Sequence, residues 1–410
     1  MTGTSHDLAL LTGDDAGDLL AAALAPEGGS LRSWQARSVD ARPGRGTTVS
    51  YRAEAAFPDG AVRTAWLGAS TRPLPADATD ALVLSDGTTT VAVWAWPRDP
   101  WLPALPVACD AVAVGALLES FGAAPAPVTL QVHAYRPGRR AVLQGRSSSG
   151  ALFVKVQRPE RAVALHERHR LLADAGLPVP RSLGVDPRGL VALQALPGTS
   201  LRDQLRRGGA VPSGADLLDL LERLPVAVLD LPARPSWTDG ARHYATVVGN
   251  AVAAAGEPGE STRAARLADE VLAGLAGTGD RPEPTHGDLY EAQLLVAADG
   301  AVTGLLDLDS TGPGRRADDL ACLLAHLEVL AQLEPAHGDG TRAVLRRWQA
   351  AFEERVDPVE LRLRTAGVLL SLATGPHRTQ EPGWVKATSA RLDLVQTWLR
   401  SAERPARAAV

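Results

Sequence analysis

Short apolar runs broken by turn residues dominate this chain up to Gly198, and apolar positions at helical spacing dominate it afterwards. The first pattern predicts strands and the second amphipathic helices. A helix over Asp14 to Leu24 precedes a series of alternating strands. Leu130 to Tyr135 and Ala141 to Gln144 then form strands around the turn Arg136-Pro137-Gly138-Arg139-Arg140, followed by the apolar strand Ala151 to Val156. In the helix Arg161 to Ala175, Ala164, Leu165, Leu171, Leu172 and Ala175 recur at near-helical spacing, and Gly176 closes it. Two more strands, Val179 to Val185 and Leu190 to Leu196, flank Pro187-Arg188-Gly189, and Pro197-Gly198 ends the series.

Beyond Gly198, helices are expected over Leu201 to Arg207, Ala215 to Leu224, Tyr244 to Ala255, Thr262 to Leu275, Asp318 to Leu333, Thr341 to Arg355, Pro358 to Ala373 and Lys386 to Ser401. Asp357-Pro358 is a helix start, an acceptor at the cap followed by proline at the first helical position. One hairpin interrupts the series: Leu294-Leu295-Val296 and Val302 to Leu306 lie on either side of the turn pair Asp299-Gly300. Strands first and helices after predict an α+β fold.

The strand region carries an echo. Ala41-Arg42-Pro43-Gly44-Arg45 resembles Tyr135-Arg136-Pro137-Gly138-Arg139, and each copy leads through a strand to a Gly-ended turn, Phe57-Pro58-Asp59-Gly60 and Ser147-Ser148-Ser149-Gly150. The repeat suggests an internal duplication of the strand layer, with Ala65 near the place that Lys155 holds in the second copy.

Composition narrows the function. With 410 residues the chain can hold two or three domains, and a net charge of -5 over a mixed surface argues against nucleic acid as the main partner. Met1 to Asp7 lacks the basic start of a signal peptide, and no apolar run is long enough to span a bilayer, so a cytoplasmic protein without a membrane partner is expected. Cys109 and Cys322 are expected to be buried free thiols. Among 42 basic residues, lysine occurs only at Lys155 and Lys386. A lysine kept at the end of an apolar strand in an arginine chain points to a need for a compact ammonium, as against nucleotide phosphates.

The chemistry concentrates in Thr285-His286-Gly287-Asp288-Leu289-Tyr290-Glu291-Ala292-Gln293 and in Leu306-Asp307-Leu308-Asp309. The hairpin would bring Asp288 and Gln293, before its first strand, together with Asp307, after its second. A carboxylate beside an acceptor hydroxyl, plus oxygen ligands for Mg2+ on a nucleotide's phosphates, is what phosphoryl transfer needs. His166-Glu167-Arg168-His169 does not have the spacing of a zinc protease motif. Gly312-Pro313-Gly314-Arg315-Arg316-Ala317 matches a dinucleotide fingerprint, although Asp307 and Asp309 would repel a pyrophosphate there.

On these residues the chain, over about 128 to 400, resembles the kinase-like small-molecule phosphotransferases: aminoglycoside phosphotransferases, choline kinases, maltokinases and actinobacterial glucosamine kinases. Gln293 stands where most members carry Asn, and in this it looks like the maltokinase and glucosamine kinase branch. The resemblance implies a bilobal protein-kinase-like fold, with an N-terminal α/β cap over 1–110, a mainly β N-lobe over 111–197 and a helical C-lobe over 198–410. It implies ATP and Mg2+, with Asp288 as catalytic base and Gln293 and Asp307 as metal ligands. Lys155, paired with Glu167, would hold the phosphates; Gln194 to Leu196 would be the hinge for adenine, and Arg139 would join the phosphate cradle, since no glycine-rich loop is present. Asp309, Tyr290, Glu291, Trp384 and Glu381 would line the acceptor cleft. Acidic groups and an aromatic face suit a sugar, above all an aminosugar such as glucosamine, for an enzyme acting as monomer or homodimer. An aminoglycoside kinase is the runner-up, and a maltokinase-like enzyme or a nucleotide-binding pseudokinase the remaining readings.

Overall fold

The computed structural model describes residues 2–76, 78, 81–123, 127–148, 150–279 and 281–403. It divides into two compact units, one of Met1–Glu167, Arg181–Ala195 and His377–Pro382, the other of Arg168–Pro180, Leu196–Pro376 and Gly383–Val410. The first is built on two sheets and the second mainly on helices, so the fold is α+β.

In the first unit, helices α1 (Thr2–Thr12) and α2 (Ala16–Leu24) precede strands β1 (Ser30–Arg42), β2 (Gly46–Ala56), β3 (Val62–Ser70), β4 (Leu82–Ser85) and β5 (Thr90–Ala95). Ala16, Leu20, Ala23 and Leu24 form one face of α2 and pack with Val49, Tyr51, Val91 and Val93 of this sheet. The buried Tyr51 hydroxyl donates to the Leu11 carbonyl at 2.7 Å, which ties α1 to β2. Helices α3 (Leu105–Ala108) and α4 (Ala111–Ser120) follow. Asp110 caps α4, accepting from the amides of Val112 and Ala113. The sequence pattern gives no sign of α1 before Asp110 or of α4 after it, because both are short and weakly periodic.

The second sheet comprises β6 (Thr129–Arg136), β7 (Arg140–Ser147) and β8 (Gly150–Gln157), then, after helix α5 (Pro159–Asp174), β9 (Ser182–Asp186) and β10 (Leu190–Gln194). Its inward residues Leu143, Val154, Val156, Leu190 and Ala192 have their own core with Leu102, Leu105, Val114 and Leu118. Tyr135 links the sheets: its hydroxyl accepts from Trp94 Nε1 at 3.0 Å and donates to Asp99 at 2.9 Å.

The two sheets share a topology. Their strand orders are β1-β2-β3-β5-β4 and β6-β7-β8-β10-β9. The echoed turns have one geometry, with Gly44 at φ 70° and Gly138 at φ 64°, and with Arg45 N donating to Arg42 O and Arg139 N to Arg136 O at 2.9 and 3.0 Å. Counting from these turns, Thr48 pairs with Ser70 as Val142 pairs with Lys155; Ser70 then faces Ala92 as Lys155 faces Val191. The counterpart of Lys155 is therefore Ser70 and not Ala65. Sequence distance missed it because β3 starts later after its turn than β8 does. Ser149, in the second Gly-ended turn, lies outside the described residues.

The second unit takes the C-terminal half of α5 and then β11 (Thr199–Ser200), α6 (Leu201–Arg206), α7 (Gly214–Glu222), α8 (Ala241–Ala254) and α9 (Pro258–Gly274). Then come β12 (Glu283–Thr285), the hairpin β13 (Leu294–Val296) and β14 (Val302–Leu305), and β15 (Gly312–Gly314). Helices α10 (Arg316–Leu333), α11 (Gly338–Glu353), α12 (Pro358–Leu372), α13 (Gly375–Arg378) and α14 (Trp384–Ala402) complete the chain, α13 running into the segment counted with the first unit. Leu320, Leu323, Leu324 and Leu327 are fully buried, and α10 packs on α11 and α12. Asp357 caps α12 with Pro358 at its first position, as expected. Among the described residues no helix is long and apolar enough to cross a membrane, and both cysteines are free, Cys322 buried and Cys109 half-buried.

Candidate active site

The segment from Thr285 to Gln293 is held from three sides. At its start β12 pairs with β15, and Thr285 Oγ1 donates to the Gly312 carbonyl at 2.8 Å. This pairing makes Gly312–Gly314 a strand, so the dinucleotide reading of that stretch fails: its glycines do not form a strand-to-helix turn. Next, the amides of His286 and Gly287 donate to the two oxygens of Asp319 at 2.8 and 2.7 Å. Gly287 has φ 80°, and a Cβ there would lie 2.4 Å from the Ser310 carbonyl, so only glycine lets the chain pass.

His286 is fully buried. Its Nδ1 accepts from the Asp288 amide at 3.3 Å, which leaves Nε2 to donate to the Leu306 carbonyl at 2.8 Å. One ring thus ties the Asp288 loop to the end of β14. Burial lowers the histidine's pKa, consistent with this neutral form.

Helix α10 supplies the floor. Asp319, Cys322 and His326 follow at i, i+3 and i+7, on one face. The Cys322 thiol donates to Asp288 Oδ1 at 4.0 Å; burial pushes its pKa well up, so it remains a donor. The His326 ring stacks on Tyr290, with centroids 4.2 Å apart and planes 19° apart. The start of α10 is fixed in turn by buried charges: Arg364 bridges Asp318 and Glu360, each at 2.8 Å, and Arg315 pairs with Glu360. None of Cys322, His326 or Arg364 was named for this role from the sequence, since Asp288, Tyr290 and Asp318, which they meet, lie 34 to 46 residues away in the chain.

Gln293 ends a short 3-10 turn entering β13, and its Nε2 lies 3.3 Å from Asp307 Oδ2. The Leu306 amide donates to the Gln293 carbonyl at 2.8 Å, which locks the hairpin's two ends together. Asp307 itself sits in the left-handed region, φ 59° and ψ 59°, a conformation that costs energy outside glycine and that Asp tolerates better than most residues.

The other residues singled out from sequence fall as follows. Lys155 is 7 % exposed on β8, between Val142 and Val191 of the neighbouring strands. Glu167 is exposed on α5, and Gln194 ends β10, its amide donating to the Arg181 carbonyl at 2.9 Å. Leu196, half-buried, opens the next stretch of chain. The Arg139 guanidinium lies 3.9 Å from Asp40 of β1, and the Gly138 amide of the same turn donates to the buried Asp99 at 2.7 Å. The turn expected to cradle phosphate thus spends its best amide, and turns Arg139, on the first sheet. Glu291, expected to line a cleft, is instead fully buried and paired with Arg202 at 2.7 Å, because the 3-10 turn points it inward. Asp309 and Tyr290 are half-buried. So are Glu381, which accepts from Thr379 Oγ1 at 3.1 Å, and Trp384, the first residue of α14; the two belong to different units.

Asp319 offers a measurable consequence. Burial raises its pKa from 3.8 to about 6, so between those values the folded state holds a proton that the unfolded state has lost. Stability contributed by this group therefore falls as pH rises through that window, by up to about 3 kcal/mol, and is flat above it. Asp319→Asn, which faces one amide with an NH2 in place of an acceptor, should be less stable by roughly 1–3 kcal/mol at low pH. Denaturant melts of both proteins from pH 4 to 7 should show the wild type's advantage shrinking toward pH 6. An advantage that grows with pH would contradict the burial argument.

The sequence signature of the phosphotransferase enzyme family matches residues 138–357. Among solved structures, a thermostable mutant of aminoglycoside phosphotransferase APH(4)-Ia in its apo form is 14% identical, covering 70% of this chain and 97% of that chain with a TM-score of 0.47. APH(3'')-Id from Streptomyces rimosus is 21% identical over 64% of this chain and 98% of its own, with a TM-score of 0.42. An aminoglycoside-3'-phosphotransferase of type VIII is 25% identical over 58% and 92%, with a TM-score of 0.40. No curated protein matches.

Proposed function

Because the chain belongs to the phosphotransferase enzyme family, we propose that it moves the γ-phosphate of ATP to a hydroxyl of a sugar, and that an aminosugar such as glucosamine is the acceptor class. The observation that carries this reading is the hairpin-end geometry: the Gln293 amide 3.3 Å from the Asp307 carboxylate, on a loop that the His286 ring ties to Asp288. Both side chains carry hard oxygens of the kind Mg2+ takes, and turning the Gln293 amide over presents its Oε1, so these two residues fit as metal ligands. Mg2+ bound there would neutralise charge on the transferring phosphate.

The chain's own residues do the rest. Asp288, oriented by the Cys322 thiol and by its own amide on His286, accepts the acceptor hydroxyl's proton. Lys155 offers a point charge to the phosphates and Glu167 steadies it, while the backbone of Gln194 to Leu196 takes adenine. Asp309 and Tyr290, stacked on His326, face the acceptor, and a cationic amine beside Asp309 gains Coulombic attraction. Residues 1–110 serve as a cap, 111–197 as the nucleotide-holding lobe and 198–410 as the catalytic lobe.

A panel of glucosamine, glucose, maltose and a cationic aminoglycoside, each with ATP and Mg2+, tests the reading. Turnover highest with the aminosugar supports it; turnover only with the aminoglycoside moves the acceptor to that class, and no ATP-dependent phosphorylation of any of them defeats it. Lys155→Arg should keep the fold yet raise the KM for ATP by about tenfold or more, because a planar fork does not replace a compact ammonium. Unchanged ATP kinetics would remove Lys155 from the site.

A further inference from the structure

We infer that the first sheet carries a second ligand site, a groove for a neutral sugar ring or short oligosaccharide, formed by β3, the end of β5 and the turn after β2. The groove encloses about 530 Å³, within the range of small-molecule sites, and is lined by Phe57, Ala65, Trp66 and Trp96 with Glu27, Asp59, Arg63 and Thr64 around them. Aromatic residues make up only 4% of this chain, yet three of them meet here. Trp66 is 44% exposed, a large apolar surface left in water.

The polar rim is already organised. Asp59 pairs with Arg63, whose guanidinium lies 5.2 Å over the Phe57 ring, and Glu27 pairs with Arg98 at 3.1 Å. Each pair presents an acceptor next to a donor. A sugar hydroxyl, which donates and accepts at once, satisfies both members of such a pair, while the C–H face of the ring covers an aromatic face. The pairs balance in charge, which favours a neutral ligand over an anion. β3 is hydrogen-bonded to β2 along its whole length and to β5 over Leu67–Ser70, and the groove opens beside its first half, Val62–Trp66.

The matching registers of the two sheets give independent support. Trp96 N donates to Trp66 O at 2.9 Å, as Ala195 N donates to Ala151 O at 3.1 Å in the second sheet. The groove thus occupies, in the first sheet, the place where the second sheet offers Gln194 and Ala195. Ser70, at the position that corresponds to Lys155, is fully buried and bonded to Thr48 Oγ1 at 2.8 Å, so that place offers no cation to a phosphate. A ring without a phosphate tail is what remains.

The site does not depend on the proposed reaction, and the two can fail separately. Maltotriose, chitotriose and adenosine would be titrated into the full chain by calorimetry and tryptophan fluorescence. Saturable binding of a trisaccharide is expected, weakened about tenfold by Trp66→Ala and less by Asp59→Asn, with ATP-dependent turnover unchanged in both variants. Should Trp66→Ala fail to fold by circular dichroism, Asp59→Asn and Thr64→Val carry the test, since both positions are exposed. No saturable binding of either sugar, binding indifferent to these variants, or binding of adenosine alone would overturn the inference.

Discussion

Asp288→Asn should bind ATP almost as the wild type does and lose on the order of 10² to 10⁴ in turnover. The substitution leaves the shape of the loop intact: the position 288 amide still donates to His286 Nδ1, and Gly287 still reaches Asp319. It removes only the group able to take a proton. The Cys322 thiol, which donates to one oxygen of Asp288, would still find an acceptor in the asparagine. Nucleotide affinity by calorimetry and single-turnover phosphoryl transfer should therefore separate, the first nearly constant and the second collapsing. Asp309, two residues beyond Asp307 in a 3-10 turn, is the rival base. If Asp288→Asn transfers phosphate at near-normal rates and Asp309→Asn does not, the two roles must be exchanged.

Asp307→Asn should reduce turnover by a factor of about 10² or more at ordinary magnesium levels, with partial recovery as the metal is raised. A carboxylate supplies a full charge to a hard cation, whereas an amide supplies a dipole. Gln293→Asn should be milder, because it keeps an amide oxygen and only shortens the reach. Both variants should fold, since the hairpin is closed by the backbone bond from Leu306 N to Gln293 O and not by these side chains. Position 307 also tolerates asparagine conformationally, as Asn is at home in the left-handed region. A titration of activity against magnesium that superimposes on the wild type would take Asp307 out of the metal site.

Much of this site was readable from the sequence because its parts are local. The hairpin turn at Asp299-Gly300 fixes which residues meet at its ends, and so the approach of Gln293 to Asp307 follows from thirteen intervening residues of strand and turn. The helices after Gly198 were likewise visible, with the start of α12 marked by its cap Asp357 and the proline that follows it. What was not readable depends on distant pairing. Glu291 looked like a cleft residue until Arg202, 89 positions away, was seen to neutralise it. Arg139 looked like a phosphate ligand until Asp40, 99 positions away, was found beside it. Strand β15 read as a loop because its partner β12 is only three residues long and carries a proline. In each case a polar group's real partner lies outside any window that periodicity can scan.

Two sheets with one strand order and matching registers also set a folding problem. During synthesis β1 to β5 emerge before β6 to β10, and a strand of one copy finds in the other a pairing surface of the right length and turn geometry, the usual route to misassembly in repeated domains. Gly68 of β3 guards against such an exchange. A Cβ there would come within 2.3 Å of the Trp94 ring, so the strand that packs beside this indole must offer a glycine at that point. Its counterpart in β8 is Phe153, which the indole excludes. In the finished sheet the indole and a phenylalanine side chain at that position would need the same space, so only the native strand closes the sheet around Trp94.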